Sequence, residues 1–340
     1  ELDRYLTFLR TCSAWWYADH SFGNQDLEKW TSCSEIRHVL ETKDHVTICV
    51  ESKERTWELM IYPVVGGFRM VAGKKGFFDG KPEAFSMEES EHAYIIRSKE
   101  HEMILKKETL EISIDRKAIT NLKNISFIFE KESVSASRIQ FSIHENSAIY
   151  GFGERFDSVN QYGKTVALWQ RDACEGCLAS TGNQAYKNIP LVHTSDGFSF
   201  FANTSYRMRM DVGDAVQDYL SVEALGDVFD FYIWSGTPRE AMTAYGTLTG
   251  LPIFPPEWVF EPWAGGGGGR WRNGPLQDIA LEQMAAMKKF HELDIPHSGF
   301  YAEGAGATFY GEYKKEELYK VVSFGERHGF KVFSWQFPNM

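Results

Sequence analysis

No apolar run in the 340 residues approaches the ~18 residues that a membrane-spanning helix needs. The chain opens with neither a basic n-region nor an apolar h-region. Positive charge is in the minority: 36 Lys and Arg face 47 Asp and Glu, a net charge of −11. That balance argues against nucleic acid and anionic membrane as partners. Cysteine is sparse, and its five copies are an odd number that makes no disulfide framework. Cys174 and Cys177 form a lone CxxC with no second pair and no histidines at ligand spacing, so they read as plain thiols and no metal is expected. Few, unpatterned cysteines fit a reduced, cytoplasmic setting. The first residue is Glu1 rather than Met, which leaves a trimmed signal equally compatible. Phosphate cradles are missing too. The run Gly265 to Gly269 has no Gly-Lys-Ser/Thr after it, and Arg270 stands where GxGxxG would need its last glycine. No cofactor is expected.

Aromatic residues are what the chain has in quantity: 10 Trp, 15 Tyr and 25 Phe, 15% of the total. Flat apolar faces suit the C–H faces of sugars, and they equally build a large aromatic core. The length implies two domains.

From the start to Gly236 the pattern is that of strands. His45–Val50, Thr56–Val64, Ala93–Lys99, Ile125–Glu130 and Arg138–His144 are short, β-branched or aromatic, and loosely alternating. Phe198–Thr204, Tyr206–Val212 and Phe229–Trp234 continue the series. Many short strands without helices between them imply an antiparallel β-sandwich over 1–236. A second segment, 237–256, combines a capped helix with a stiff linker. Thr237-Pro-Arg-Glu240 has the form of a capping box with proline in the first turn, and Pro252, Pro255 and Pro256 follow. After Glu257 strands and helices alternate: strand Trp258–Ala264, helix Leu276–Leu293, strand Ser298–Glu303, helix Lys314–His328, strand Lys331–Phe337. Such units build parallel sheets. Three strands over 257–340 are either a small open sheet or the opening of a (β/α)8 TIM barrel, which needs about 250 residues. The edges of an open sheet leave self-association, up to a homo-oligomer, available.

Several ordered motifs give the chain a family likeness. Gly151-Phe-Gly-Glu-Arg-Phe156 resembles the sandwich signature of glycoside hydrolase family 31. Trp169-Gln-Arg-Asp172 is similar to the family's Trp-x-Arg-Asp loop, and Asn183-Gln-Ala-Tyr-Lys-Asn-Ile-Pro190 to a segment of its α-xylosidase-like branch. Thr247-Leu-Thr-Gly250, Pro255-Pro-Glu-Trp258 and Leu293-Asp-Ile-Pro296 resemble the family's entry into its barrel. The resemblance covers most of Tyr150–Met340; the first ~140 residues share only their β-rich character.

What it implies is a retaining α-glycosidase acting on α-xylosides or α-glucosides by double displacement. A member specific for another sugar, such as an α-galactoside or an acidic sugar, and a noncatalytic carbohydrate-binding relative are the alternatives. The partner is then an oligosaccharide or glycoside substrate. In the family two carboxylates about 5–5.5 Å apart do the chemistry. Both are aspartates on later barrel strands, expected beyond Met340, so no catalytic residue is assigned here. Arg171 and Asp172 are implied to reach sugar from the sandwich. Glu303 ends the second strand where the family usually has an aspartate, and C-terminal strand ends carry the sites of barrels. Trp263, at the end of the first strand, fits either sugar stacking or core packing; Trp335 fits core. Arg270 and Arg272 fit a solvated loop or contact with an anionic substituent. The α-xylosidase-like branch tends to place an aromatic in the loop after strand one. Glycine there implies room for a hexose.

Overall fold

The computed structural model describes residues 30–52, 55–170, 185–267, 276–303 and 315–333. The chain divides into two compact units, Glu1–Leu251 and Pro252–Met340.

The first unit is built from antiparallel sheets. Eight strands run in the order Ile149–Gly153, Asn188–Thr194, Phe198–Ala202, Val228–Ser235, Gly67–Gly73, Arg55–Val64, Val46–Ser52 and Glu35–Glu41. Six more run Thr31–Ser32, Ile125–Glu130, Ser133–Ser142, Tyr219–Leu225, Met208–Val212 and Lys164–Leu168. A five-stranded sheet spans Ser86–Glu89 to Lys117–Asn121. Apolar residues from all three sheets share one core, and the eight-stranded sheet carries a second apolar cluster on its other face. Phenylalanine fills the shared core. Phe127, Phe141, Phe152, Phe198, Phe200 and Phe229 are fully buried, with Phe141 stacked on Phe200 at 4.4 Å between centroids. Much of the aromatic surplus is therefore core.

The capped helix forms as its sequence dictates. Helix α1, Pro238–Thr249, starts with the Thr237 hydroxyl accepting from the Glu240 N–H at 3.3 Å, while the Glu240 carboxylate accepts from the Thr237 N–H at 2.8 Å. Gly250, at φ +90°, ends it. Ala241 and Ala244 bury against Tyr232, Trp234 and Phe201, so α1 lies on the outer face of the eight-stranded sheet as part of the first unit.

The second unit contains three parallel strands in sequential order, Trp263–Gly267, Gly299–Glu303 and Lys331–Phe333. Helices α2, Leu276–Glu292, and α3, Lys315–Arg327, connect them. Met287 and Val321 bury with Ala264, Phe300, Ala302 and Phe330, and Met284 and Phe290 pack on that cluster. The methionine stripe of α2 is core. Two details depart from the sequence reading. Glu257–Phe260 is a 3₁₀ turn preceded by Pro256, which is extended at φ −66° and ψ 155°, so the strand starts only at Trp263. The same strand then runs through Gly265, Gly266 and Gly267, paired with Tyr301, Ala302 and Glu303. Pairing with a neighbouring strand overrides glycine's poor strand preference.

Candidate functional site

The geometry of the sandwich site begins at Gly151-Phe152-Gly153. All three residues have positive φ, at +112°, +67° and +84°. The pairing of Ile149–Gly153 with Asn188–Thr194 slips between Gly151 and Gly153, which makes this a β-bulge. A Cβ on Gly151 would meet the Leu191 carbonyl oxygen at 2.2 Å, and one on Gly153 the Lys187 carbonyl oxygen at 1.9 Å. Only glycine permits that approach. The bulge buries Phe152 completely and sends the chain on to Arg155.

Arg155 Nη2 donates to the Phe152 carbonyl at 2.9 Å and to Asn188 Oδ1 at 2.6 Å. Burial pushes the Arg155 guanidinium down to about 10, opposed by Asp157. Asp157 itself is held down at about 2: burial raises it, and hydrogen bonds from Lys164, Gln161 and the Ser158 N–H more than offset that. Asn188 Nδ2 donates to Gln170 Oε1 at 2.9 Å and to the Ala185 carbonyl at 3.0 Å. The Asn188 N–H also donates to Gln170 Oε1 at 2.9 Å.

Beside Gln170 lies a cleft of about 340 Å³. Phe77, Trp169 and Tyr206 line it and stay 72%, 46% and 42% exposed. Gln170, Asn188 and Asn203 contribute amides to the lining, and those of Asn188 and Asn203 are already hydrogen-bonded within the protein. None of its lining side chains among the described residues is charged, in a chain where 24% of residues are. Exposed aromatic faces in an uncharged lining suit the C–H faces of an uncharged polyol.

One wall of the cleft is tied to a buried ion pair. Arg69 Nε and Nη2 donate to Asp230 Oδ1 and Oδ2 at 2.8 and 2.7 Å, a bidentate pair with both side chains almost wholly inaccessible. Burial works against the Arg69 charge, but Asp230 and Asp79 more than compensate and hold its pKa above the usual guanidinium value. Asp230 Oδ2 also accepts from the Gly76 N–H at 2.7 Å and from Asn203 Nδ2 at 2.8 Å. Asn203 in turn accepts from the Phe78 N–H at 3.0 Å and donates to the Phe78 carbonyl at 2.8 Å. The segment that carries Phe77 is thereby fixed from beneath.

In the second unit Glu303 closes its strand opposite Gly267, at the C-terminal edge of the sheet. Trp263 opens its strand rather than ending it, pairing with Gly299 at the opposite edge. It stacks on Trp258 at 6.0 Å and lies 4.8 Å from Phe333, and its indole N–H donates to the Trp258 carbonyl at 3.4 Å. The proline-led 3₁₀ turn delays the strand and moves this tryptophan away from the edge that Glu303 marks. Arg171, Asp172, Cys174, Cys177, Arg270, Arg272 and Trp335 lie outside the described residues. Among the described residues no cluster of His, Cys, Asp and Glu could hold a metal, and no helix is long and apolar enough to cross a membrane. Phe77 and Tyr206 carried no signal in the sequence, because their convergence depends on segments far apart in the chain.

Residues 43–211, which include the bulge, Trp169 and Asn188, match the glycosyl hydrolase 31 N-terminal galactose mutarotase-like domain. The chain belongs to glycoside hydrolase family 31. Within that family it is 34% identical over 166 residues to an α-xylosidase of Lactiplantibacillus pentosus, covering 48% of this chain and 21% of that protein. It is 25% identical over 228 residues to a 1,3-α-isomaltosidase of Kribbella flavida, covering 63% and 29%. This family 31 chain thus spans between a fifth and a third of the length of these relatives. Its fold is similar to that of the cycloalternan-forming enzyme of Listeria monocytogenes, with a TM-score of 0.74 at 17% identity over 91% of this chain and 32% of that one. The Flavobacterium johnsoniae family 31 dextranase follows at 0.70 and 19%, over 90% and 38%.

Proposed function

We propose that this chain is the N-terminal part of a retaining α-glycoside hydrolase that removes the non-reducing terminal sugar of α-xylosides or α-glucosides by double displacement. The observation that carries the reading is the family match over the segment holding the glycine bulge and the Trp169 cleft, together with relatives named as α-xylosidase and α-isomaltosidase. The parallel strands of the second unit are the opening of a (β/α)8 barrel, and 257–340 is the start of the catalytic domain. The nucleophile and the acid/base are aspartates on later barrel strands, outside this chain. Its own contribution is substrate contact, from Arg171 and Asp172 by their resemblance to the family's loop and from Glu303 at the strand edge where barrels carry their sites. Trp263, at the other edge, belongs to packing.

Glycine sets the expected sugar. Gly267 shares the edge with Glu303 and offers no side chain to fill the space that the hydroxymethyl group of a hexose occupies and xylose leaves empty. One such group is worth about 1–3 kcal/mol of discrimination. The full-length protein should therefore hydrolyse an aryl α-hexoside with a higher specificity constant than the matching α-xyloside. The α-xylosidase relative points the other way, so a side-by-side assay separates the two. A tenfold or greater preference for the xyloside, about 1.4 kcal/mol, would reject the open-wall argument. Hydrolysis of neither would reject the hydrolase reading.

A further inference from the structure

Three aromatic side chains from separate stretches of the sandwich meet at the cleft and stay exposed there. We infer that the cleft is a carbohydrate-binding site, in which Phe77, Trp169 and Tyr206 hold a neutral oligosaccharide by stacking on the C–H faces of its rings. The inference rests on the reading of the protein as one that acts on glycosides, and it names the residues of the first unit that bind the glycan.

The exposure of Phe77 is imposed by the backbone that carries it. The Gly76 N–H donates to Asp230 Oδ2 at 2.7 Å, and Phe78 exchanges two hydrogen bonds with the Asn203 side chain at 3.0 and 2.8 Å. The Gly80 N–H donates to the Tyr232 hydroxyl at 2.9 Å, and that hydroxyl donates to the Phe78 carbonyl at 3.0 Å. A Cβ on Gly76 would meet the Asn203 carbonyl oxygen at 1.6 Å, so glycine is what lets the segment lie this close. Phe78 turns inward, with its ring 6.2 Å from that of Phe201, and Phe77 is left outward. Tyr206 is held from another side. Its hydroxyl donates to Asp227 Oδ1 at 3.2 Å, and its ring lies over Gly226, where a Cβ would come within 2.6 Å of it. Lys74 pairs with the same Asp227, so Tyr206 and the Phe77 segment share an anchor. Trp169 directly follows the buried Leu168, whose strand pairs with Met208. Rings fixed in advance spare a ligand the cost of ordering them.

The polar complement is small and neutral. Gln170 Oε1 accepts from both the Asn188 backbone and its amide, which orients the Gln170 side chain and leaves Nε2 without a partner among the described residues. Ser205 Oγ has none among them either. The rings can take the C–H faces of a sugar while these groups take its hydroxyls. A lining without a cation gives a carboxylate nothing to pair with, so an uncharged glycan fits it better than an acidic one. The volume of about 340 Å³ is at the small end for ligand sites and suits part of an oligosaccharide.

The test uses the full-length protein and its Phe77→Ala and Phe77→Trp variants. The probe is a neutral α-linked glucose trisaccharide with sulfur in place of the glycosidic oxygens, which resists hydrolysis. Amide hydrogen exchange over residues 203–206 is followed as the sugar is added, so affinity is read at the cleft whatever binds elsewhere. The sugar should slow exchange there saturably and leave the Lys117–Asn121 strand unchanged. Phe77→Ala should raise the half-protecting concentration about tenfold, and Phe77→Trp should stay within about twofold of the unmodified protein, because it keeps a ring. An equal half-point in Phe77→Ala would overturn the proposal. So would residues 203–206 that exchange slowly before sugar is added and do not respond to it, since another part of the polypeptide would then cover the cleft. Turnover of an aryl α-glucoside is measured alongside. Protection without turnover would reject the hydrolase reading and leave the cleft standing; turnover without protection would reject the cleft alone.

Discussion

Replacing Asp230 with alanine is expected to lower the melting temperature of the sandwich by roughly 6–20 °C. The argument is one of isolation. Arg69 lies beneath the segment carrying Phe77, 1% exposed, and Asp230 meets it with both carboxylate oxygens. Removing one member of a buried pair leaves the other charge without its counter-ion and costs about 3–5 kcal/mol. Each kcal/mol corresponds to about 2–4 °C for a unit of this size. Asp79 cannot stand in, because it is 67% exposed and reaches only one guanidinium nitrogen. Asp230 also accepts from Gly76 and Asn203, so the variant loosens one wall of the cleft and should weaken sugar binding as well. Thermal unfolding of the variant followed by circular dichroism checks it. A drop below about 2 °C would show that the pair adds little over two solvated charges.

The second large effect belongs to the bulge. Gly153→Ala should destabilise the sandwich by at least about 3 kcal/mol, because two costs add. A left-handed conformation is worth roughly 1–2 kcal/mol to an L-residue. The new Cβ would also sit 1.9 Å from the Lys187 carbonyl oxygen, a backbone atom that cannot turn aside. Relief requires the two strands to part, which breaks the 2.9 Å bond from the Glu154 N–H to that carbonyl. Gly163→Ala is the control. Gly163 has a similar φ of +78° but nothing within 4 Å of a Cβ, so it isolates the conformational cost alone. Equal losses in urea unfolding would show that close approach is not what demands glycine at 153.

Helix α1 could be read from the chain almost residue by residue, because a capping box and a terminal glycine are local chemistry. The large core strands were also legible from their apolar alternation. Most of the five-stranded sheet was not. Its outer face is charged, and the charges pair across strands: Arg97 with Glu88 and Glu102, both at 2.7 Å, and Lys107 with Glu89 at 2.6 Å. In one dimension those residues are a polar stretch. Asp230 posed the opposite problem, a lone acid in an apolar strand whose partner lies 161 residues away. Gly265 to Gly267 were read as a loop because what makes them a strand is the neighbour at Tyr301–Glu303. The glycine motif was legible by its resemblance to a family signature, but its reach to Asn188 was not, since hydrogen bonds between distant segments leave no periodicity. The same holds for the cleft, whose aromatic walls come from three separate stretches.

The anomeric form of the first sugar released tests the central claim most directly. The full-length protein would be given an aryl α-glucoside and followed by proton NMR before mutarotation equilibrates the product. A family 31 retaining hydrolase working by double displacement releases the α-anomer first, because two inversions restore the configuration. Initial release of the β-anomer would contradict the account, and so would the absence of any hydrolysis by the folded full-length protein.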